Sequence, residues 1–263
     1  MRTLPIALTL AGSDSGGGAG VQADLKTFAA LGVHGTCAIT CLTAQNPKGV
    51  TAIQAATPAL VRAQIEAVFA ELRPAAVKTG MLFNTAIIRE VAGFFHTLRG
   101  PKPALIVDPV MVATSGARLL KPAALRALQS ELLPLATLVT PNLDEAEILV
   151  GAKLRSPDDL RAAARAIHAR FGCAALVKGG HLRGQRDAVD VFFDGKQELL
   201  LTAPFVRGVA THGTGCTYSA AIAAHCARGH DLAKSVRFAK KFITRAIADS
   251  YRIGPHSALN PFA

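Results

Sequence analysis

Thr211-His212-Gly213-Thr214-Gly215-Cys216-Thr217-Tyr218-Ser219-Ala220-Ala221 is the stretch from which the rest of this sequence can be read. Two closely spaced glycines and small polar residues give way to Ala-Ala-Ile-Ala-Ala-His-Cys-Ala through residue 227. That is a flexible loop running into a small-residue helix. The first-turn N–H groups of such a helix have no internal partners and carry the positive end of the macrodipole, so they form an anion site. Gly213 and Gly215 let the backbone approach a ligand without an intervening side chain. Cys216 falls at the helix N-terminus, where a thiol pKa moves towards neutrality and a thiolate becomes available as a base. An anion cradle with a thiolate in it suggests phosphate chemistry. The stretch equally suits a helix start packed under a sheet, with Cys216 as a small, inert core residue.

Upstream, short apolar runs alternate with helical patterns. Residues 4–10 form a buried-strand run ending at Gly12-Ser13-Asp14-Ser15-Gly16-Gly17-Gly18-Ala19-Gly20, and a helix follows to residue 31. The glycine run has neither the GxGxxG spacing of a dinucleotide fold nor the GxxxxGK[ST] of a P-loop. Asp24 sits in the first turns of that helix, either as a charge favourable to the helix N-terminus or as a partner for a bound polar group. Strands are expected at 34–44, 50–56, 75–79, 104–107, 137–140 and 174–178. Helices are expected at 58–72, 84–98, 122–133, 143–150 and 157–171. Residues 189–193 and 198–202, joined through Asp194-Gly195-Lys196, read as an antiparallel hairpin at a sheet edge. A last helix starts at Asp231 as N-cap, and the tail from 253 to 263 reads as irregular.

This alternation predicts an α/β fold, a mostly parallel sheet covered by helices on both faces, in one domain over residues 1–263. Ligands of such sheets bind beyond the C-terminal strand ends. The polar residues gather there: Asp14, Gln45, Lys78-Thr79-Gly80, Asp108-Pro109, Thr140-Pro141-Asn142 and Lys178-Gly179-Gly180-His181. Gln45 can offer a donor and an acceptor together to the edge of a heterocycle, while Asn46-Pro47-Lys48-Gly49 also reads as plain turn chemistry.

Bulk properties narrow the function. The net charge is +11 and tryptophan is absent, but the basic residues are spread along the chain and no RNA-binding signature is present, which disfavours nucleic acid. A diffuse cationic field suits phosphorylated small molecules as well. Five cysteines with no CxxC pair point to reduced thiols in a cytoplasm. The uncharged stretches 27–47 and 208–227 are broken by Gly, His and Thr, so no membrane span is expected.

Taken together, AGSDSGGGAGVQADLKTF (11–28), LTAQN (42–46), KTGML (78–82), DPVMVATSG (108–116), TPNLDEAE (140–147), VKGGH (177–181) and THGTGCT (211–217) resemble the hydroxymethylpyrimidine/phosphomethylpyrimidine kinases of thiamine biosynthesis, within the ribokinase-like superfamily. The resemblance implies a three-layer α/β/α fold, usually a homodimer, using ATP and Mg²⁺. It implies two phosphorylations: of the hydroxymethyl group of 4-amino-5-hydroxymethyl-2-methylpyrimidine, then of the resulting monophosphate. By the same resemblance, Gln45 would read the pyrimidine edge, and Gly12, Asp24, Met81 and Val110 would form the substrate pocket. Gly213, Thr214, Gly215 and Cys216 would form the anion hole, Lys178 would steady the transferring phosphoryl group, and Asp108 and Glu145, with Asn142, would organise Mg²⁺. Cys216 stands where the superfamily usually has an Asp base, as it does in this branch. The same fold also serves kinases of pyridoxal or pyridoxine, and a non-catalytic ligand-binding protein could use the scaffold. An intact Lys178, Asp108, Glu145 and Cys216 set argues against the latter.

Overall fold

A computed structural model describes residues 3–111, 120–180, 182, 186–206 and 212–263. Parts of the quoted motifs, residues 112–116, His181 and Thr211, lie outside the described residues.

The first strand, β1 (Ile6–Ala11), lies between β2 (His34–Ile39) and β5 (Ala76–Thr79), both parallel to it. From β5 the sheet continues in parallel through β6 (Ala104–Val107), β7 (Leu138–Val139) and β8 (Ala174–Gly179). The antiparallel strands β9 (Asp187–Phe193) and β10 (Glu198–Pro204) finish that edge, giving eight strands among the described residues. Side chains alternate between faces at the strand period of two. Leu8, Leu10, Val77, Leu105, Val107 and Val139 pack into one core, and Ala7, Ala76, Ile106 and Leu138 into the other.

The first core is closed by α2 (Pro58–Glu71), α3 (Thr85–Thr97), α4 (Pro122–Ala127), α5 (Leu143–Val150) and α6 (Pro157–Phe171). The second is closed by α1 (Gly20–Ala30), α7 (Thr214–Ala227) and α8 (Leu232–Ala248). This is the α/β/α sandwich the alternation predicts. α7 is buried on nearly every face, and its run of alanines lets it pack flush against β1, β5 and β6 as well as against α1 and α8.

Three expectations need correction. Residues 34–44 are not one strand: the fully buried Thr40 breaks the run, donating its N–H to Ala11 O and its hydroxyl to Met81 O at 2.6 Å. Beyond it, β3 (Cys41–Asn46) leaves the main sheet and pairs antiparallel with β4 (Gly49–Ala55), which lifts Gln45 onto a separate ribbon. The helix expected at 122–133 stays α-helical only to Ala127, then widens to i→i+5 bonding over Leu128–Leu132 and tightens over Leu133–Leu135. Pro134 has no N–H and its ring would meet the carbonyl one turn back, so a regular helix cannot run through it. The first part of the tail is a hairpin rather than irregular, β11 (Tyr251–Ile253) against β12 (His256–Ala258) around Gly254-Pro255, while 259–263 form no strand or helix.

Candidate active site

One cavity of about 650 Å³ opens over the C-terminal ends of the parallel strands. Each loop there leaves a strand end: Gly12 to Gly20 after β1, Met81 after β5, Asp108 to Val110 after β6, Asn142 after β7 and Gly180 after β8. The β3–β4 ribbon brings Gln45, and the N-terminus of α7 brings Gly213 to Cys216. Of the sequence-predicted residues, Gly12, Gln45, Met81, Val110, Asp108, Glu145, Lys178, Gly213, Thr214, Gly215 and Cys216 all line it. Asp24 does not.

At one end the charges converge. Lys178, next to the C-terminal end of β8, donates to Asp108 Oδ1 at 3.2 Å, and Ser219 of α7 donates to Asp108 Oδ2 at 3.2 Å. A Cβ placed on Gly215 would lie 3.4 Å from Lys178 Nζ and 3.6 Å from Asp108 Oδ2, ordinary contact distances, so the cradle backbone runs directly alongside this pair. Glu145 is buried and completes a capping box at the start of α5. Its Oε2 accepts from Asn142 N–H and its Oε1 from Met111 N–H. Val110 takes the left-handed region (φ 40°), a strained conformation for a β-branched residue, next to the N–H that reaches Glu145. Burial and then the Asp108 carboxylate push the Glu145 carboxyl up to about 7, although Lys178 and two backbone N–H groups pull the other way. Two carboxylates that resist sharing negative charge, beside one lysine, suit a divalent cation by donor type.

Cys216 is in the first turn of α7, but its thiol does not move towards neutrality. Burial pushes it up; the Lys78 ammonium and the Gly20 N–H oppose this, while the Asp24 and Asp108 carboxylates add to it. The free helix terminus is outweighed by desolvation. Gly213 begins the helix at φ 83°, and a Cβ there would run into the Gly18 carbonyl oxygen. The loop after β1 and the cradle therefore interlock backbone to backbone.

Asp24 is neither an exposed helix-start charge nor on the cavity wall. Thr9 Oγ1 donates to it at 2.6 Å and Lys78 Nζ donates to both its oxygens, at 3.0 and 2.8 Å, with all three residues fully buried. The sequence placed Lys78 at a strand end and in a motif, without a partner. Its signal was a lysine inside a short apolar strand, which must find a carboxylate to be buried. Asp190 went unnoticed on the same pattern. It faces Lys178 across the β8–β9 ladder, accepts from Gly179 N–H at 3.1 Å and takes Lys240 of α8 at 2.7 Å.

At the other end, Asp14 gathers the glycine loop, accepting from the N–H groups of Gly16, Gly18 and Ala19 and from His212 Nε2 at 3.1 Å. Burial alone would raise its pKa, but His212 and the loop N–H groups hold it below the usual range, so it is ionised and Nε2 must carry the proton. Gln45 Nε2, 3.4 Å from the same nitrogen, then has no acceptor there and keeps its N–H groups for the cavity.

A lysine, paired carboxylates and a helix-terminal anion cradle beyond the strand ends of a parallel α/β sandwich define a small-molecule phosphotransferase of ribokinase-like fold. Residues 14–260 match the phosphomethylpyrimidine kinase family, and the chain belongs to it. It is 49% identical over 251 residues to a hydroxymethylpyrimidine/phosphomethylpyrimidine kinase of Synechococcus elongatus, covering 95% of this chain and 94% of that one. Among solved structures it is similar to the phosphomethylpyrimidine kinase of Clostridium difficile 630, with TM-score 0.82, 41% identity and coverage of 92% and 99%. It is also similar to Staphylococcus aureus pyridoxal kinase in complex with AMP-PCP and pyridoxal, with TM-score 0.89, 33% identity and coverage of 100% and 95%.

Proposed function

We infer that this chain is an ATP-dependent bifunctional kinase that phosphorylates 4-amino-5-hydroxymethyl-2-methylpyrimidine and then its monophosphate, for thiamine biosynthesis. The observation that carries this is the shared cavity. Gln45, a reader of a heterocycle edge, and the Lys178–Asp108–Glu145 set face the same α7 N-terminus. Gln45, Gly12, Met81 and Val110 line the pyrimidine end, and Asp24 acts beneath it through Lys78. The Gly213–Cys216 backbone receives the transferring phosphoryl group, with Lys178 against its charge. Asp108 and Glu145 would hold Mg²⁺, which supplies charge neutralisation between the phosphates. Cys216 takes the proton from the attacking alcohol.

Leu42, Val50 and Ile53 are exposed on the β3–β4 ribbon, which supports pairing with a second copy. All five cysteines are unbonded, and no helix among the described residues is long and apolar enough to cross a membrane, which agrees with a cytoplasmic site of action.

The similarity to a pyridoxal-bound kinase favours vitamin B6 as the second reading. The test is ADP release from ATP and Mg²⁺ with hydroxymethylpyrimidine, its monophosphate and pyridoxal, each supplied alone. Turnover of the first two with little of the third is expected. Turnover of pyridoxal without the monophosphate would transfer the assignment, and no turnover of any would leave a binding protein on this scaffold.

A further inference from the structure

The two phosphorylations pose different problems at one place. The first substrate presents a neutral alcohol to the γ-phosphoryl group. The second presents an anionic phosphate monoester, one oxygen of which attacks the γ-phosphorus as ADP leaves with the electron pair of the broken P–O bond. If the same cradle serves both, the ring must withdraw by about one phosphate group in the second step. The monoester phosphate then occupies the interval between the ring reader, Gln45, and the cradle that starts at Gly213. His212 is in that interval: it precedes Gly213 in the chain, lines the cavity, and has its Nε2 3.4 Å from Gln45 Nε2.

We propose that His212 binds the phosphate of the monophosphate substrate and so governs the second transfer separately from the first, an inference that rests on the two-step reading above. The ring is held for that task. Nε2–H is fixed on Asp14, whose side chain is 3% exposed and anchored by three loop N–H groups. A carboxylate–histidine pair of this kind sets the tautomer and orients the ring. Nδ1 makes no hydrogen bond to the described residues, and in the imidazolium form, which the Asp14 carboxylate accompanies as an ion pair, its N–H is the donor left to face a phosphate oxygen. Gly18 shows how closely the ring is seated, since a Cβ there would come within 2.9 Å of His212 Cδ2. Two lysines of the wall are otherwise engaged, Lys178 with Asp108 and Lys240 with Asp190; Lys48, exposed on the β3–β4 turn, is the remaining competitor.

The experiment measures steady-state kinetics of the full chain on the alcohol and on the monophosphate separately, for wild type, His212→Gln, His212→Lys and Lys48→Gln. A charge-assisted hydrogen bond lost from the second complex alone predicts that His212→Gln raises KM for the monophosphate roughly tenfold to a hundredfold. KM and kcat for the alcohol should stay within about threefold, and His212→Lys should recover most of the monophosphate affinity. Equal losses on both substrates would make His212 a structural prop and overturn the proposal. So would the same selective loss in Lys48→Gln with none in His212→Gln. Wild-type protein that turns over neither pyrimidine would instead sink the functional reading, which separates the two failures.

Discussion

Lys78 Nζ lies 2.8 Å from Asp24 Oδ2, and neither side chain has any solvent-exposed surface. Burial works against the charge on Lys78, but the Asp24 carboxylate holds its ammonium well above the usual lysine range. The pair joins β5 to α1 immediately under the cradle, and Cys216 and Asp108 feel its charge.

Removing one partner leaves the other charge buried and alone. Lys78→Met should therefore destabilise the fold by about 3–5 kcal/mol, whereas Lys78→Met combined with Asp24→Leu should recover much of that loss. Urea unfolding checks both; a single variant within about 1 kcal/mol of wild type would mean the pair does not hold the fold.

Cys216→Ala should slow phosphorylation of the alcohol by roughly 10²–10⁴-fold and that of the monophosphate far less, because only the alcohol must lose a proton. The thiol is held above its usual range, so the thiolate fraction is small at neutral pH and grows as pH rises. The wild-type rate on the alcohol should climb into the alkaline range, and the variant should lose that climb. Equal loss on both substrates would leave Cys216 as part of the cradle only.

On the proposed reading, in which its charge faces the transferring group in each step, Lys178→Met should cost both phosphorylations about equally, roughly 10²–10³-fold. Rates on the two substrates check this. A loss confined to one substrate would place Lys178 outside the shared part of the site.

Glu145 is raised from 4.5 to about 7 in the folded chain. Between those values the folded state binds more protons at this group than the unfolded state does. This residue's contribution to stability is therefore greatest at low pH and is lost as pH rises from about 4.5 to 7. In metal-free protein the melting temperature of wild type relative to Glu145→Gln should fall across that window. Saturating Mg²⁺, favouring the ionised carboxylate, should reduce the fall. A difference that is flat with pH would mean that burial and the Asp108 carboxylate do not hold this carboxyl up.

Gly213→Ala should abolish activity and lower stability by more than about 2 kcal/mol, because φ 83° is strained for alanine and its Cβ strikes the Gly18 carbonyl. Gly151→Ala tests the conformational part alone. Its φ is 73° with nothing within 4 Å of the added carbon, so about 1 kcal/mol is expected with activity kept. Thermal melts and ADP release on both variants separate strain from collision.

The alternation of apolar runs and helical patterns determined the layered α/β fold, because burial on both sheet faces imposes it locally, element by element. The motifs also carried the cavity: Gln45, Asp108, Glu145, Lys178 and Gly213–Cys216 do meet over the strand ends, since strand polarity sends every such loop to one side. The break at Thr40 was not legible, because its cause is a hydroxyl bond to Met81, forty-one residues away. Nor was the desolvation of the Cys216 thiol, which outweighs the helix start that the local sequence shows. Only tertiary structure decided that Asp24 belongs to Lys78, Asp190 to Lys240 and His212 to Asp14. Each pairing joins residues 50 to 198 positions apart, and a sequence records which charges must be matched without recording which ones the fold will bring together.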